Sequence, residues 1–224
     1  MHLFLDLDGT LTDPKVGILT SLQHALRKLG EPVPTFAELH WCIGPPLKDA
    51  FATIFGAGQH ERIADGVRHF RERFGDVGLF ENEVYEGIPD MLATLVDQGH
   101  QLHIATSKPE VFARRILHHF HLYAPFTSIH GSELDGTRGD KGELIAHILK
   151  VRGIAPDNAI MIGDRKHDIL GARHNGLRGV GVLWGYGERE ELEMAGASLC
   201  IDSPEELAAA ISSLSDETGH SDSR

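Results

Sequence analysis

The stretch Leu3-Phe4-Leu5-Asp6-Leu7-Asp8-Gly9-Thr10 restricts the fold more than any other part of the sequence. An unbroken apolar run suits a central parallel strand with both faces covered, so helices must flank any sheet that contains it. Two like charges at the end of a buried strand are costly unless something neutralises them. The strand is predicted over 3–8. In an extended chain Asp6 and Asp8 would then lie roughly 7 Å apart on one face, with Gly9 free to turn the backbone just beyond them.

No second strand follows directly. Val16, Leu19, Leu22, Ala25, Leu26 and Leu29 recur at helical spacing with Gly30 as a C-cap. Further helices are predicted over 35–42, 47–55 and 59–74, separated by Gly44-Pro45-Pro46 and Gly56-Ala57-Gly58. After Gly87 the texture changes: strands over 101–106, 126–129, 159–162, 179–183 and 198–201 alternate with helices over 89–98, 109–121, 141–152, 166–175, 189–195 and 204–214. That alternation belongs to an α/β fold, a doubly wound (Rossmann-like) parallel sheet. The first strand joins it most simply if a helical block is inserted after that strand. The expected organisation is an α/β core from 1–13 and 83–214, a small all-helical cap domain over 14–82 with hinges near Asp13-Pro14 and 80–86, and a disordered polar tail over 215–224.

Lys and Arg total 21 against 33 Asp and Glu, a net charge of -12. Such a surface repels nucleic acid and anionic lipid, and a small anionic substrate would need a local positive site. No apolar stretch approaches the roughly 20 residues that span a bilayer, no secretory signal is read at the start, and the cytoplasm is the expected compartment. The oligomeric state is left open. Cys42 and Cys200 fit no metal-ligand spacing and read as reduced structural thiols. The fifteen histidines are scattered, and the one cluster, His118-His119-x-His121, reads as a solvated helix face.

Three predicted strands pass from apolar residues into a polar group at their carboxyl ends: LFLDLD, QLHIATS and AIMIGD. In an open parallel sheet those ends share the edge where ligands bind, so Asp6, Asp8, Thr106 and Asp164 are expected to meet. One carboxylate of the leading pair can attack as a nucleophile while the other donates and accepts a proton. Asp168 follows Asp164 by one helical turn. Acidic oxygens without histidine or cysteine at ligand spacing select a hard cation, most naturally Mg²⁺. Thr106 and Ser107 precede a helix start and Lys141 opens the helix KGELIAHILK, a combination suited to holding phosphate.

In order along the chain, DLDGTLTD, the threonine of HIATSKP, the lysine of RGDKGELI and the acidic pair of MIGDRKHD resemble the four motifs of the haloacid dehalogenase-like phosphatase superfamily. The resemblance covers nearly the whole chain except the tail. The inserted helices resemble that superfamily's first cap type, and GPPLKDAF and GVLWGYGERE resemble its phosphoglycolate phosphatase-like and 5′-nucleotidase-like bacterial members. It implies that Asp6 attacks phosphorus to form an aspartyl-phosphate and that Asp8 protonates the leaving oxygen, then activates water. It further implies that Thr106 and Lys141 hold the phosphoryl oxygens, that Mg²⁺ is bound by Asp6, the backbone carbonyl of Asp8 and Asp164, and that Asp168 acts through water or from the second layer. Lys48, just after Gly44-Pro45-Pro46, would lie in the substrate-selecting loop of the cap. The implied activity is Mg²⁺-dependent hydrolysis of a small phosphorylated metabolite, phosphoglycolate first. Nucleoside monophosphates as substrates, or a sugar phosphomutase of the β-phosphoglucomutase type, are the alternatives. A dinucleotide site would need Gly-x-Gly-x-x-Gly after the first strand, where this chain has Asp-Gly-Thr. A catalytically silent protein would be expected to lack a motif residue, and all are present.

Overall fold

The computed structural model describes residues 1–219. Strand β1 (His2–Leu5) is followed by the two-residue β2 (Thr12–Asp13) and four helices, α1 (Lys15–Lys28), α2 (Phe36–Leu39), α3 (Leu47–Phe55) and α4 (His60–Arg73). A π-helical turn, Phe74–Gly78, extends α4. Next come β3 (Glu83–Val84), α5 (Ile88–Asp97), β4 (Gln101–Pro109), α6 (Glu110–His119), β5 (Phe126–Ser132) and α7 (Lys141–Arg152). The chain ends with β6 (Ala159–Gly163), α8 (Lys166–His174), β7 (Arg178–Val182), α9 (Arg189–Ala195), β8 (Leu199–Ile201) and α10 (Leu207–Gly219).

Six of these strands form one parallel sheet in the order β5-β4-β1-β6-β7-β8, the doubly wound arrangement predicted. Alternation along the strands feeds two cores. Leu3, Leu5, Leu102, Ile104, Ile160 and Ile162 face one side, while Phe4, Ala105 and Met161 face the other, where Leu144, Ile145 and Ile148 of α7 cover them. The strand order reverses between β1 and β6, and a crevice at such a reversal is where open α/β sheets bind ligands.

The first strand stops at Leu5 rather than running to Asp8. Beyond it the Leu7 carbonyl accepts hydrogen bonds from the amides of Thr10, Leu11 and Thr12 at 3.3, 2.9 and 3.1 Å, and Gly9 takes a φ of +82°. This tight loop leads into β2, which pairs antiparallel with β3 through Thr12↔Val84 and Asp13↔Glu83. The pairing sets the two connections of α1–α4 side by side. The local sequence does not mark this strand, because two residues carry no period. The π turn packs against α1 where neither has a side chain: a Cβ at Gly17 would strike the Gly78 carbonyl. Strand β4 runs to Pro109 and β5 to Ser132, each three residues past its predicted end.

Helix α10 continues to Gly219, into residues predicted to form a disordered tail. Leu207, Ile211 and Leu214 are buried along it, and once a helix is anchored each further residue adds a hydrogen bond at little cost. The rest of that prediction, 220–224, lies outside the described residues. Among the described residues no helix is long and apolar enough to cross a membrane.

Candidate active site

The carboxyl ends of β1, β4 and β6 converge with the first turns of α7 and α8. Asp6 continues the line of β1: its amide donates to the Ile162 carbonyl at 3.0 Å. Its Oδ1 accepts from the Leu7 amide at 2.7 Å, and its Oδ2 lies 3.1 Å from Lys141 Nζ. Lys141 opens α7, whose end is capped by Asp140 accepting from the Glu143 amide at 3.0 Å. Only 4% of Lys141 is exposed. Its ammonium donates to the Ala105 carbonyl at 2.8 Å and sits 2.7 Å from Asp168 Oδ1. Burial pulls its pKa down, but Asp168 and Asp6 outweigh burial and the net direction is up, so the lysine stays charged.

Asp168 lies in the first turn of α8, with Oδ2 accepting from the Arg165 amide at 3.1 Å. Burial pushes its carboxyl up to about 6 against the pull of Lys141. Asp164, at the end of β6, is fully buried. It accepts from the Tyr186 amide at 2.8 Å and from Thr10 Oγ1 at 3.4 Å. Burial, then the charges of Asp168 and Asp6, hold it well above the ordinary carboxyl range. Carboxylate oxygens of Asp6, Asp164 and Asp168 all fall within 4.8 Å of one another. Two of the three carboxylates, Asp6 and Asp168, share the Lys141 ammonium, and the ligand atoms all three offer are oxygen, so the cluster fits a hard divalent cation.

Asp168 lies within this group of three and the Asp8 side chain lies outside it. The Oδ2 of Asp8 is paired with Lys108 Nζ, and its Oδ1 is buried with no partner. Burial raises the Asp8 carboxyl and Lys108 opposes that rise. Thr106 is buried and accepts from the Lys108 amide at 3.3 Å.

Asp6, Asp8 and Thr106 open onto one cavity of about 740 Å³. Ile63, Val67, Phe70 and Phe74 of the inserted helices line it from one side, and Phe112 and Leu134 from the other. A smaller recess of about 230 Å³ continues from Asp6 past Ser107 to Lys141 and Arg165. Lys48, exposed at the start of α3, borders the larger cavity. Two arginines tie the helices to the sheet around it. Arg165, held by Glu191 at 2.9 Å, donates to the Ile43 carbonyl at 2.7 Å, and Arg71 donates to the Leu134 carbonyl at 2.6 Å.

The structure therefore joins Asp6, Lys141 and Asp168 by contact, brings Asp164 within 4.8 Å of the two carboxylates and sets Asp8, Thr106 and Lys48 around a shared cavity. Sequence reasoning missed Lys108, Arg165 and Tyr186. A signal existed for Lys108, which follows Thr106 by two residues and so shares its side of an extended strand. Arg165 and Tyr186 act through contacts across the fold that no local pattern encodes.

Residues 3–182 match the model of the haloacid dehalogenase-like hydrolase family. A 5′-nucleotidase of Pseudomonas aeruginosa is 50% identical over 191 residues, 85% of this chain and 86% of its own. The tyrosine-protein kinase PtkA of Mycobacterium tuberculosis is 39% identical over 188 residues, 84% of this chain and 64% of that longer protein. The crystal structure of a predicted phosphatase from Clostridium acetobutylicum superposes with a TM-score of 0.90 at 41% identity, covering 94% of this chain and 97% of that one. Sheet order, carboxylate site and relatives agree, and the chain belongs to the haloacid dehalogenase-like hydrolase family as a phosphoric monoester hydrolase.

Proposed function

We propose that the protein is a cytoplasmic, Mg²⁺-dependent phosphatase that works through an aspartyl-phosphate on Asp6 and takes nucleoside monophosphates as its substrate class. The observation that carries the chemistry is the Asp6 carboxylate, 3.1 Å from Lys141, within 4.8 Å of two further carboxylates, and open to a cavity beside Asp8. An oxygen of Asp6 attacks phosphorus as the ester bond breaks. The electron pair of that bond leaves with the alcohol oxygen, which takes a proton from Asp8. Asp8 then accepts a proton from water as the water oxygen attacks the aspartyl-phosphate, releasing inorganic phosphate and restoring Asp6. Thr106 and Lys141 hold the phosphoryl oxygens throughout.

Asp6, Asp164 and the backbone carbonyl of Asp8 would hold the Mg²⁺, with Asp168 reaching it through water while fixing Lys141. When bound, the ion screens the phosphate from the attacking carboxylate and stabilises charge in the transition state. Residues 14–82 act as a cap on the core formed by 1–13 and 83–214, closing on the paired connections at β2 and β3 to exclude water.

The cavity favours a leaving group larger than glycolate. A two-carbon acid would leave most of the roughly 740 Å³ and its apolar walls to water, whereas a nucleoside would cover apolar lining side chains such as Ile63, Val67 and Phe112. The 50% identity to a 5′-nucleotidase supports the same reading.

A panel of nucleoside monophosphates, phosphoglycolate and sugar phosphates, assayed with Mg²⁺, tests it. The expected result is a kcat/KM for the best nucleotide about tenfold or more above phosphoglycolate. A preference for phosphoglycolate, or phosphate moved between positions of one sugar, would overturn the substrate class. Lys48→Ala should reorder the panel more than it alters p-nitrophenyl phosphate turnover, and an unchanged order would remove Lys48 from substrate selection.

A further inference from the structure

Lys108 has no part in the motifs read from sequence, yet it is one of the most constrained side chains in the molecule. Its side chain is 5% exposed. Its backbone is fixed from both sides: the Lys108 amide donates to Thr106 Oγ1 at 3.3 Å, and the Ser107 carbonyl accepts from Ser132 Oγ at 2.8 Å. Its ammonium has two partners drawn from different parts of the fold. One is Asp8 Oδ2. The other is the face of Phe74, with Nζ 4.8 Å from the ring centroid, a distance at which the ring's negative face attracts a cation. Phe74 is itself held, stacked on Phe70 with centroids 5.0 Å apart and edge-on to Phe112 at 5.7 Å. It begins the π turn at the end of α4, and such turns are frequent at functional positions.

Consequently the two oxygens of Asp8 are not equivalent. Oδ2 is held by Lys108 and Oδ1 is buried, so Lys108 fixes the placement of a carboxylate that borders the large cavity. We propose that Lys108 is the positioning residue for Asp8, holding Oδ2 so that the carboxylate stays aligned at the cavity for proton transfer, and that Phe74 couples this alignment to the closed position of the inserted helices. From the carboxyl group so held, the proton moves to the leaving oxygen as the phosphorus–oxygen bond breaks and the new bond to Asp6 forms. If the helices move away, the aromatic face leaves Lys108 and the carboxylate loses half of its support. The inference rests on the reading of Asp8 as the proton donor.

The test compares two substrates with different needs for that proton. p-Nitrophenolate departs unaided, whereas the 5′-alkoxide of adenosine must be protonated, so adenosine 5′-monophosphate depends on Asp8 alignment and p-nitrophenyl phosphate much less. The quantity to follow is kcat/KM, because it stops at formation of the aspartyl-phosphate and omits the hydrolytic step common to both. Lys108→Met should lower kcat/KM for the nucleotide about 30-fold more than for p-nitrophenyl phosphate. Phe74→Leu, a milder change that also guards against misfolding of the first variant, should shift the same ratio by about threefold. It should add nothing in the Lys108→Met background. Equal losses on both substrates in Lys108→Met, or a Phe74→Leu effect that persists without Lys108, would overturn the proposal. Asp8→Asn separates the two levels. A leaving-group-dependent loss there but not in Lys108→Met leaves the donor role standing and removes Lys108 from it, whereas equal losses in Asp8→Asn bring down the donor role and the inference with it.

Discussion

The carboxylate cluster at the edge of the sheet and a chain of histidines across β1, β4 and β5 are buried and half-buried polar groups on neighbouring strands, and they meet the demands of burial in opposite ways. His2 Nδ1 lies 3.0 Å from His103 Nε2, His103 Nδ1 lies 2.7 Å from Ser128 Oγ, and His130 Nε2 approaches the same hydroxyl at 2.8 Å. Neutral imidazole has one donor and one acceptor nitrogen and a hydroxyl offers both, so one direction of protons along the chain satisfies every contact without charge. Burial reinforces this by pushing His103 and His130 down to about 4. Ionised carboxylates only accept, and among the described residues Asp6 and Asp168 share the ammonium of Lys141 while Asp164 pairs with no cationic side chain. The first group is complete in itself and serves the scaffold. The second is short of positive charge, a deficit that a bound cation would relieve.

The largest expected contrast is in turnover. Asp6→Asn removes the charge of the proposed nucleophile while keeping its shape, and kcat should fall on the order of 10⁴-fold with the circular dichroism spectrum and melting temperature nearly unchanged. His103→Gln, at a fully buried position of the other cluster, should leave kcat at neutral pH within about twofold. A comparable loss in both variants would erase the distinction.

The next contrast concerns metal. Chelation should abolish hydrolysis, and Mg²⁺ should restore it and raise the melting temperature, since an ion at 100 times its Kd stabilises the folded state by about 2.7 kcal/mol. Asp164→Asn should lose that thermal response and about 10²-fold in activity, while His103→Gln should keep the thermal response in full. A metal response that survives in Asp164→Asn would show that the ion sits elsewhere.

Only one of these clusters was legible in the sequence, and the reason is physical. Asp6, Thr106 and Asp164 each end an apolar run, and Lys141 begins a helical one; a parallel sheet gathers such ends on one edge by topology alone. The histidine chain has no such marker. His2, His103, Ser128 and His130 meet because the register pairs Phe4 with His103 and His103 with Ser128, and register over such separations is a tertiary property. Lys108 falls between these cases. Its spacing from Thr106 would have placed it, but only once β4 was known to run to Pro109. The π turn at Phe74–Gly78 was hidden because the fit of Gly78 against Gly17 in α1 permits it, and nothing in the local sequence calls for it.

The smallest expected effect is on stability against pH. Imidazoles of the unfolded chain titrate near 6.5, whereas His103 and His130 in the folded protein do so at about 4. After burial, the charges of His2, Arg152 and His130 oppose protonation of His103. Arg152, Arg114 and His147 oppose it at His130, where Glu110 pulls the other way. Between those two values the unfolded chain binds more protons, so the stabilisation is complete above about pH 6.5 and drains away as the pH falls toward about 4. For fully buried His103 the loss from about pH 7 to about pH 5 should be on the order of 2 kcal/mol, a drop of roughly 0.5–1 M in urea midpoint. The raised carboxyls of Asp164 and Asp168 act in the opposite sense, gaining stability as they protonate, so the midpoint of the native protein alone mixes both clusters. Subtracting the His103→Gln profile cancels the carboxyl contribution, because glutamine keeps a donor and an acceptor there but does not titrate. A difference profile that is flat from about pH 7 to about pH 5 would show that the ring protonates in place without cost, and the histidine chain would then not be the self-sufficient half of the comparison.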